Sequence, residues 1–154
     1  GVSLLAWSEG GPEEAEAVGI VIVWDLAAGS LRHELRLPEG YLVGIQASPG
    51  GSKLLATTLI CGAYLWDVGT GHLQLQFDMH IGVLGPAQSA VSRGGERVVI
   101  LRGGQLSVWD SLTGEHRRRL PFDARGETLL LLPGGRRVVA FNASEVALWD
   151  TESG

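Results

Sequence analysis

The sequence has little of several features that would place it in a common class of protein. It holds a single cysteine, Cys61, among 154 residues, so it cannot form an internal disulfide and a disulfide-stapled secreted scaffold is disfavoured. Only 19% of the residues are charged, and no apolar run reaches the length of about 18 residues that suggests a membrane span. We therefore expect a protein of a reducing compartment, the cytoplasm, with no membrane partner.

The chain also lacks the residue patterns that carry catalysis or bind a cofactor. Its four histidines, His33, His72, His80 and His116, have no spacing that would group metal ligands, and no second cysteine joins them. No glycine-rich stretch leads into Gly-Lys-Ser/Thr, as a phosphate-binding loop would, and no Gly-x-Ser-x-Gly nucleophile motif occurs. We expect neither an enzyme nor a metal or cofactor site.

Positive charge and helical periodicity are in short supply as well. The formal net charge is −5, which works against a nucleic-acid partner, since such partners need a basic face. Only residues 12–18 have a helix-forming composition, and that stretch is too short to be a stable helix. The hydrophobic fraction of 45% and the 23 glycines indicate a globular chain with many tight turns.

What the sequence does contain is a repeat. The pair Trp-Asp occurs four times, at intervals of 42, 43 and 40 residues, and a glycine follows four places after each Asp. The repeated positions are Trp24, Asp25, Gly29, Trp66, Asp67, Gly71, Trp109, Asp110, Gly114, Trp149, Asp150 and Gly154. The period divides the chain into approximate repeats 1–37, 38–78, 79–121 and 122–154, and such a period is typical of propellers and other repeat folds.

Each period contains a second fixed turn and room for four short strands. Gly-Gly sequences at 48–51, 92–95 and 132–135 precede their Trp by 17 or 18 residues, and a similar one at 8–11 precedes Trp24 by 16. In the second period we predict strands over 42–48, 53–58, 63–67 and 72–77, the last alternating between apolar and polar residues. Four strands in a period of about 40 residues are typical of a propeller blade.

These motifs carry a resemblance to a known family: the chain resembles the WD-repeat β-propellers over essentially all of its length. The resemblance implies an all-β fold of about four WD-type repeats of four antiparallel strands, with the last blade incomplete. It also implies that each Trp packs inside its blade and that the following Asp accepts backbone N–H groups in the turn between the third and fourth strands. The turn Asp that the family places before the Trp is missing; Val18, Ile60, Gly103 and Ala143 stand there.

A closed ring in this family needs more blades than four, most often seven. The resemblance therefore implies that the chain is an arc of a longer propeller, and its start without a Met fits an excised segment. Two alternatives stay open: two copies close a ring as a homodimer, or four blades close a ring alone.

The family's usual role implies a protein-interaction scaffold. Partners bind the face formed by the loops before the first strand and between the second and third strands. On this chain, the candidate partner-binding residues are Glu39, Tyr41, Met79, His80, Arg102, Phe122, Asp123, Arg125 and Asn142. We expect a protein or peptide partner. The alternative is a structural or autoinhibitory wall that packs against other domains of a larger multidomain protein, for example of the NACHT-type signalling kind.

Two charged stretches allow a second interpretation. The acidic residues 12–17 stand where the first repeat should have its second strand, and they form either a solvated loop or a docking site for a basic partner. Residues 115–120 place three arginines on an outer edge strand. Such charges usually prevent edge-to-edge aggregation, and a phosphate or acidic-peptide site is the alternative.

Overall fold

The computed structural model describes residues 2–8, 19–59, 62–78, 87–121 and 128–153. Within these ranges the chain forms fourteen β-strands and no helix. The strands make four antiparallel sheets, numbered I to IV here in chain order. The predicted all-β class is confirmed.

The strands of each sheet are hydrogen-bonded in the order in which they occur in the chain. Sheet I contains β1 (Val2–Ser8), β2 (Gly19–Asp25) and β3 (Ser30–Arg36). Sheet II contains β4 (Leu42–Ala47), β5 (Lys53–Thr58), β6 (Ala63–Asp67) and β7 (Leu73–Phe77). Sheet III contains β8 (Gln88–Val91), β9 (Arg97–Arg102), β10 (Gln105–Asp110) and β11 (His116–Pro121). Sheet IV contains β12 (Thr128–Leu131), β13 (Arg137–Phe141) and β14 (Val146–Asp150).

The four strands predicted for the second period agree with β4 to β7 to within one residue at each end. Four strands in sheet III and three in sheet IV also match the expectation of an incomplete last repeat. The agreement has a local cause, because glycines with positive φ, such as Gly51 (72°) and Gly71 (74°), fix where the chain reverses.

The first repeat differs from the prediction. We expected four strands with the second near residues 12–17, but sheet I has three strands among the described residues. Strand β1 pairs directly with β2 over seven residues, from Val2 opposite Asp25 to Ser8 opposite Gly19, which leaves no place for a strand between them. The Gly-Gly sequence at 8–11 therefore does not correspond to the one at 48–51. Residues 12–17 themselves lie outside the described residues.

The sheets pack face to face in chain order, and three apolar clusters fill the spaces between them. Between sheets I and II, the cluster includes Val21, Val23, Leu35, Leu54, Tyr64 and Trp66. Between sheets II and III, it includes Leu55, Leu65, Phe77, Val98, Ile100 and the partly buried Trp109. Between sheets III and IV, it includes Val99, Leu101, Leu106, Val138, Ala140 and the partly buried Trp149.

Sheets II and III are covered on both faces, which explains the composition of their middle strands. In β5, Leu54 belongs to the cluster facing sheet I and Leu55 to the cluster facing sheet III. Successive side chains of a strand point to opposite faces, so both faces need apolar residues. The outer strand β7, by contrast, alternates in sequence and is mostly exposed, as predicted.

Sheets II to IV approach one another at their first strands. Strand β8 contacts both β4 and β12, whereas among the described residues no comparable contact joins the last strands β7, β11 and β14. No comparable contact joins sheet I to sheet IV in the described ranges either, so the four sheets do not close on one another.

Candidate functional site

The connections between strands lie at two opposite ends of the sheets. One end, called the connector end here, carries Leu59 and Gly62 between β5 and β6, the turns 103–104 and 142–145 in sheets III and IV, and the segment 37–41 that enters sheet II. The other end, called the turn end, carries the Gly-Gly turns and the turns that follow the Trp-Asp pairs. The sequence predicted that partner-binding residues would gather at the connector end.

Hydrogen bonds tie the pieces of the connector end together. The hydroxyl of Tyr64 donates to the carbonyl of Glu39 at 3.3 Å, and the amide of Leu59 donates to the carbonyl of Tyr41 at 3.0 Å. A guanidinium N–H of Arg102, from sheet III, donates to the carbonyl of Leu59 in sheet II. Leu59 therefore links two of the predicted residues, Tyr41 and Arg102, whereas the third, Glu39, is held by Tyr64.

Arg102 is a buried cation at this end. Its side chain ends β9 and only 2% of the residue is exposed. Within the residues that the structure describes, its Nε has no hydrogen-bond partner. A buried guanidinium is costly unless its N–H groups are hydrogen-bonded, so the unpaired Nε of Arg102 has an energetic cost at this end. Because Arg102 is buried, it affects the shape of this surface indirectly, by binding the carbonyl of Leu59 at the end of β5.

Asn142 lies at the same end of sheet IV and shapes its own turn. Its side-chain oxygen accepts the amides of Ser144 at 2.8 Å and of Glu145 at 2.7 Å, which is an Asx turn. The backbone of Asn142 then donates to Glu145 at 3.0 Å to close the β13–β14 hairpin. The side-chain oxygen and the backbone N–H of Asn142 thus both form hydrogen bonds within this turn.

The other five predicted partner-binding residues, Met79, His80, Phe122, Asp123 and Arg125, lie outside the described residues. Partner binding by any of the nine residues stays a prediction. Of the four that are described, Glu39 is exposed, Tyr41 and Asn142 are half-buried, and Arg102 is buried.

At the turn end, the Asp of each Trp-Asp pair closes a turn in the same way. One carboxylate oxygen accepts backbone amides two or three residues further on, at distances of 2.8 to 3.1 Å, from Ala27, Ala28, Thr70, Leu112, Thr113, Glu152 and Ser153. The three described glycines that follow have positive φ: 63° at Gly29, 74° at Gly71 and 75° at Gly114. This is the turn chemistry that the resemblance implied.

A basic side chain lies beside three of these carboxylates. Lys53 Nζ is 3.0 Å from Asp67, Arg117 pairs with Asp110, and Arg136 Nε is 2.7 Å from Asp150. The hydrogen bond from Lys53 lowers the pKa of Asp67 to about 2. In the same way Arg117 lowers the pKa of Asp110 to about 2.

The pKa of the other two Asp carboxyls also falls. Arg136 and the backbone amides of Glu152 and Ser153 hold the pKa of Asp150 well below its usual range. At Asp25 the amides of Ala28 and Ala27 lower the pKa.

The arginine-rich strand β11 is used largely within the chain. Arg117 pairs with Asp110, and Arg118 donates to the carbonyls of Glu152 at 2.7 Å and Ser153 at 3.1 Å. A groove of about 250 Å³ there is lined by Arg97, Glu115, Arg117, Arg118, Thr151 and Glu152. Since acidic side chains and backbone oxygens already engage two of its arginines, the groove gives little support to an anion site.

The four tryptophans are not equally buried, although the resemblance implied that each packs inside. Trp66 is 2% exposed, whereas Trp24 is 36% exposed. Trp66 packs on sheet I, Trp109 on sheet II and Trp149 on sheet III. Each of these three indoles packs on the preceding sheet, whereas no described sheet packs on the Trp24 face of sheet I.

Trp109 belongs to an aromatic group between sheets II and III. Its ring centroid lies 5.4 Å from that of Phe77 and 4.5 Å from that of His116, which it meets edge to face at 78°. Within the described part of the chain, Trp109 Nε1 and His116 Nε2 are buried without a hydrogen-bond partner. Burial, with a smaller contribution from Arg119, lowers the pKa of His116, so the neutral imidazole is favoured here.

The turn end also contains a repeated basic position that the Trp-Asp motif does not include. A basic residue, Lys53, Arg97 or Arg137, stands at the same position of three repeats, five residues after the start of the Gly-Gly turn. The backbone amides of Lys53 and Arg97 donate to the hydroxyl oxygens of Ser48 and Ser92, respectively, at 3.0 Å. Alignment of the repeats on their Gly-Gly turns would have found this position.

Within the described ranges, no three His, Cys, Asp or Glu side chains group as metal ligands. No described helix is long and apolar enough to cross a membrane. No protein-family profile matches the chain, and no curated protein is significantly similar to it in sequence.

Proposed function

We propose that the chain is an arc of a WD-repeat β-propeller and a scaffold that binds a protein or peptide partner at its connector end. Three observations support the propeller arrangement. The sheets pack in chain order through three apolar clusters, the first strands of sheets II to IV lie side by side, and each Trp-Asp pair forms the same turn. Blades around a common axis have these properties.

The observation that carries the binding proposal is the link between sheets at the connector end. Because Arg102 of sheet III holds Leu59 of sheet II, and Leu59 in turn holds Tyr41, loops from different repeats form one continuous surface. Loops on a rigid scaffold are common binding surfaces. Tyr, the type of residue at position 41, is also among the residues enriched in interface hot spots.

The exposed chemistry at this end suits a protein surface better than a small molecule. Glu39 is exposed, Tyr41 is half-buried, and Val43 near the start of β4 is 40% exposed. A carboxylate, an aromatic ring and an apolar side chain within a few residues form the mixed surface that peptide partners use. The proposed setting is the cytoplasm, supported by the single cysteine.

The test is a selection of binding peptides from a random display library, followed by affinity measurement on variants. Glu39→Arg and Tyr41→Ala, each shown to be folded by circular dichroism, should weaken the selected peptides at least tenfold. The matched control is Leu112→Glu, because Leu112 is 73% exposed and lies at the turn end. Its affinity should be unchanged.

A second pair of variants tests the predicted residues outside the described ranges. The double charge reversal Asp123→Arg with Arg125→Glu should weaken the same peptides while the melting temperature stays within a few degrees. Peptides that bind all connector-end variants equally well would contradict the proposal. A chain for which no peptide is selected would favour the structural-wall alternative.

A further inference from the structure

The outer face of sheet IV carries residues that occupy core positions in the other sheets. In the strand that ends in Trp-Asp, two alternate positions face the following sheet. In sheets I to III all six side chains at these positions are fully buried: Val21, Val23, Ala63, Leu65, Leu106 and Val108, each 0% exposed. The equivalent residues of sheet IV are Val146, 75% exposed, and Leu148, 56% exposed.

The register confirms that these positions are equivalent. Leu148 pairs with Val139 across β14 and β13, as Val108 pairs with Val99 across β10 and β9. Val99 and Val108 both belong to the cluster between sheets III and IV. The outer face of sheet IV thus has the same apolar pairs as a buried face, without a sheet against them in the described residues.

Each packed contact between two neighbouring sheets is called a joint here. The outer face of sheet I has the residues of the opposite side of such a joint. In each internal joint, the following sheet places its Trp on the preceding one, as Trp66 does on sheet I. Trp24 stands at that position in sheet I and is 36% exposed. Its cross-strand partner Leu31 is 51% exposed, and Ile20 and Ile22 of the same face are half-buried.

We propose that copies of this chain associate head to tail, with the Trp24 face of one copy packed on the Leu148 face of another. The occupant follows from the repeat: the two exposed faces are the two unmatched halves of a joint that the chain already makes three times. A contact of this kind is heterologous, so it closes a ring or extends into a chain of copies. It is independent of partner binding at the connector end.

The first measurement is light scattering coupled to size exclusion on the 154-residue chain over a wide concentration range. The expected mass is twice the protomer's 16.3 kDa or a larger multiple that rises with concentration. Trp24→Glu and Leu148→Glu should each abolish the closed or extended assembly. Leu112→Glu, which adds the same charge at a residue 73% exposed in the β10–β11 turn, should assemble normally.

A mixing experiment separates head-to-tail from symmetric contact. Trp24→Glu retains an intact Leu148 face, and Leu148→Glu retains an intact Trp24 face, so an equimolar mixture should form a one-to-one heterodimer. The double variant should bind neither single variant. If Leu148→Glu is poorly folded by circular dichroism, Val146→Lys replaces it, because Val146 is more exposed on the same face.

Two results would overturn the proposal. An unsubstituted chain that stays monomeric at every concentration would mean that something other than a second copy covers these faces, such as further repeats of a longer chain. Self-association that survives in both single variants, or that the mixture does not restore, would mean that copies contact each other elsewhere.

Discussion

Nη1 of Arg97 in sheet III donates a hydrogen bond of 2.6 Å to the hydroxyl of Thr151, which follows the last Trp-Asp pair of sheet IV. The same nitrogen donates to the carbonyl of Gly135 at 3.1 Å. Thr151 in turn donates to Gly135 at 3.1 Å. The guanidinium of Arg97 thereby connects sheet III to two turns of sheet IV, the Gly-Gly turn and the turn after the Trp-Asp pair.

We expect Arg97→Ala to lower the free energy of unfolding by about 1.5–3 kcal/mol, the usual range for hydrogen bonds to a charged group. Lysine lacks the planar fork, so Arg97→Lys should restore only part of the loss. Urea denaturation measures both. Arg93→Ala, in an exposed turn of the same sheet, is the control and should change stability little; equal losses for Arg93 and Arg97 would contradict the assignment.

The tryptophans give a second prediction. Trp66→Ala should cost about 3–5 kcal/mol, as for other buried aromatic residues, because Trp66 is 2% exposed. Trp24→Ala should cost much less in dilute solution, since its outer face is uncovered there. Chemical denaturation below the concentration of any self-association distinguishes them, and similar losses for both variants would show that Trp24 is covered within one copy.

Gly29 and Gly71 form a matched pair for a third prediction. Both have positive φ, 63° and 74°. An added Cβ at Gly29 would meet nothing within 4 Å, whereas at Gly71 it would lie 2.7 Å from Nδ1 of His33. Alanine should cost about 1–2 kcal/mol at either position from backbone strain, and more at Gly71.

A double-mutant cycle isolates the contact between the two sheets. In a His33→Ala background, Gly71→Ala should cost no more than Gly29→Ala does. An excess cost that persists without the imidazole would show that the close approach of His33 is not its source.

The fourth prediction concerns the loss of stability at low pH. The pKa of Asp67 and that of Asp110 are lowered to about 2 by Lys53 and Arg117 respectively, whereas an unfolded Asp has a pKa of about 3.9. The contribution of these two carboxylates to the free energy of unfolding is therefore present above about pH 4 and is lost as the pH falls from about 4 to about 2. Partial exposure screens both pairs, so we expect about 1 kcal/mol from each.

Unfolding curves between pH 7 and pH 2 test this expectation. Asp67→Asn and Asp110→Asn should each lower stability at pH 7 and flatten its decline in acid. Glu115→Gln, an exposed carboxyl change near the same turn, serves as the control. A decline in acid as steep in both Asn variants as in the unsubstituted chain would locate the acid sensitivity in other groups.

The sequence by itself determined the all-β class, the strands of the second period and the chemistry of the Trp-Asp turns. These features depend on near neighbours in the chain. A carboxylate that accepts amides two or three residues away, and a glycine that reverses the chain, act within one turn, so their spacing in the sequence is enough.

Only the tertiary structure decided which repeats are complete and which side chains are covered. The pairing of β1 with β2 gave sheet I three strands, although a Gly-Gly sequence at 8–11 suggested a fourth. Arg102 reads as a loop residue in the sequence but is buried, because it reaches Leu59 in the neighbouring sheet. Trp24 and Trp66 have the same motif and differ in exposure, since burial depends on the sheet that packs against a residue and not on the residue's own repeat.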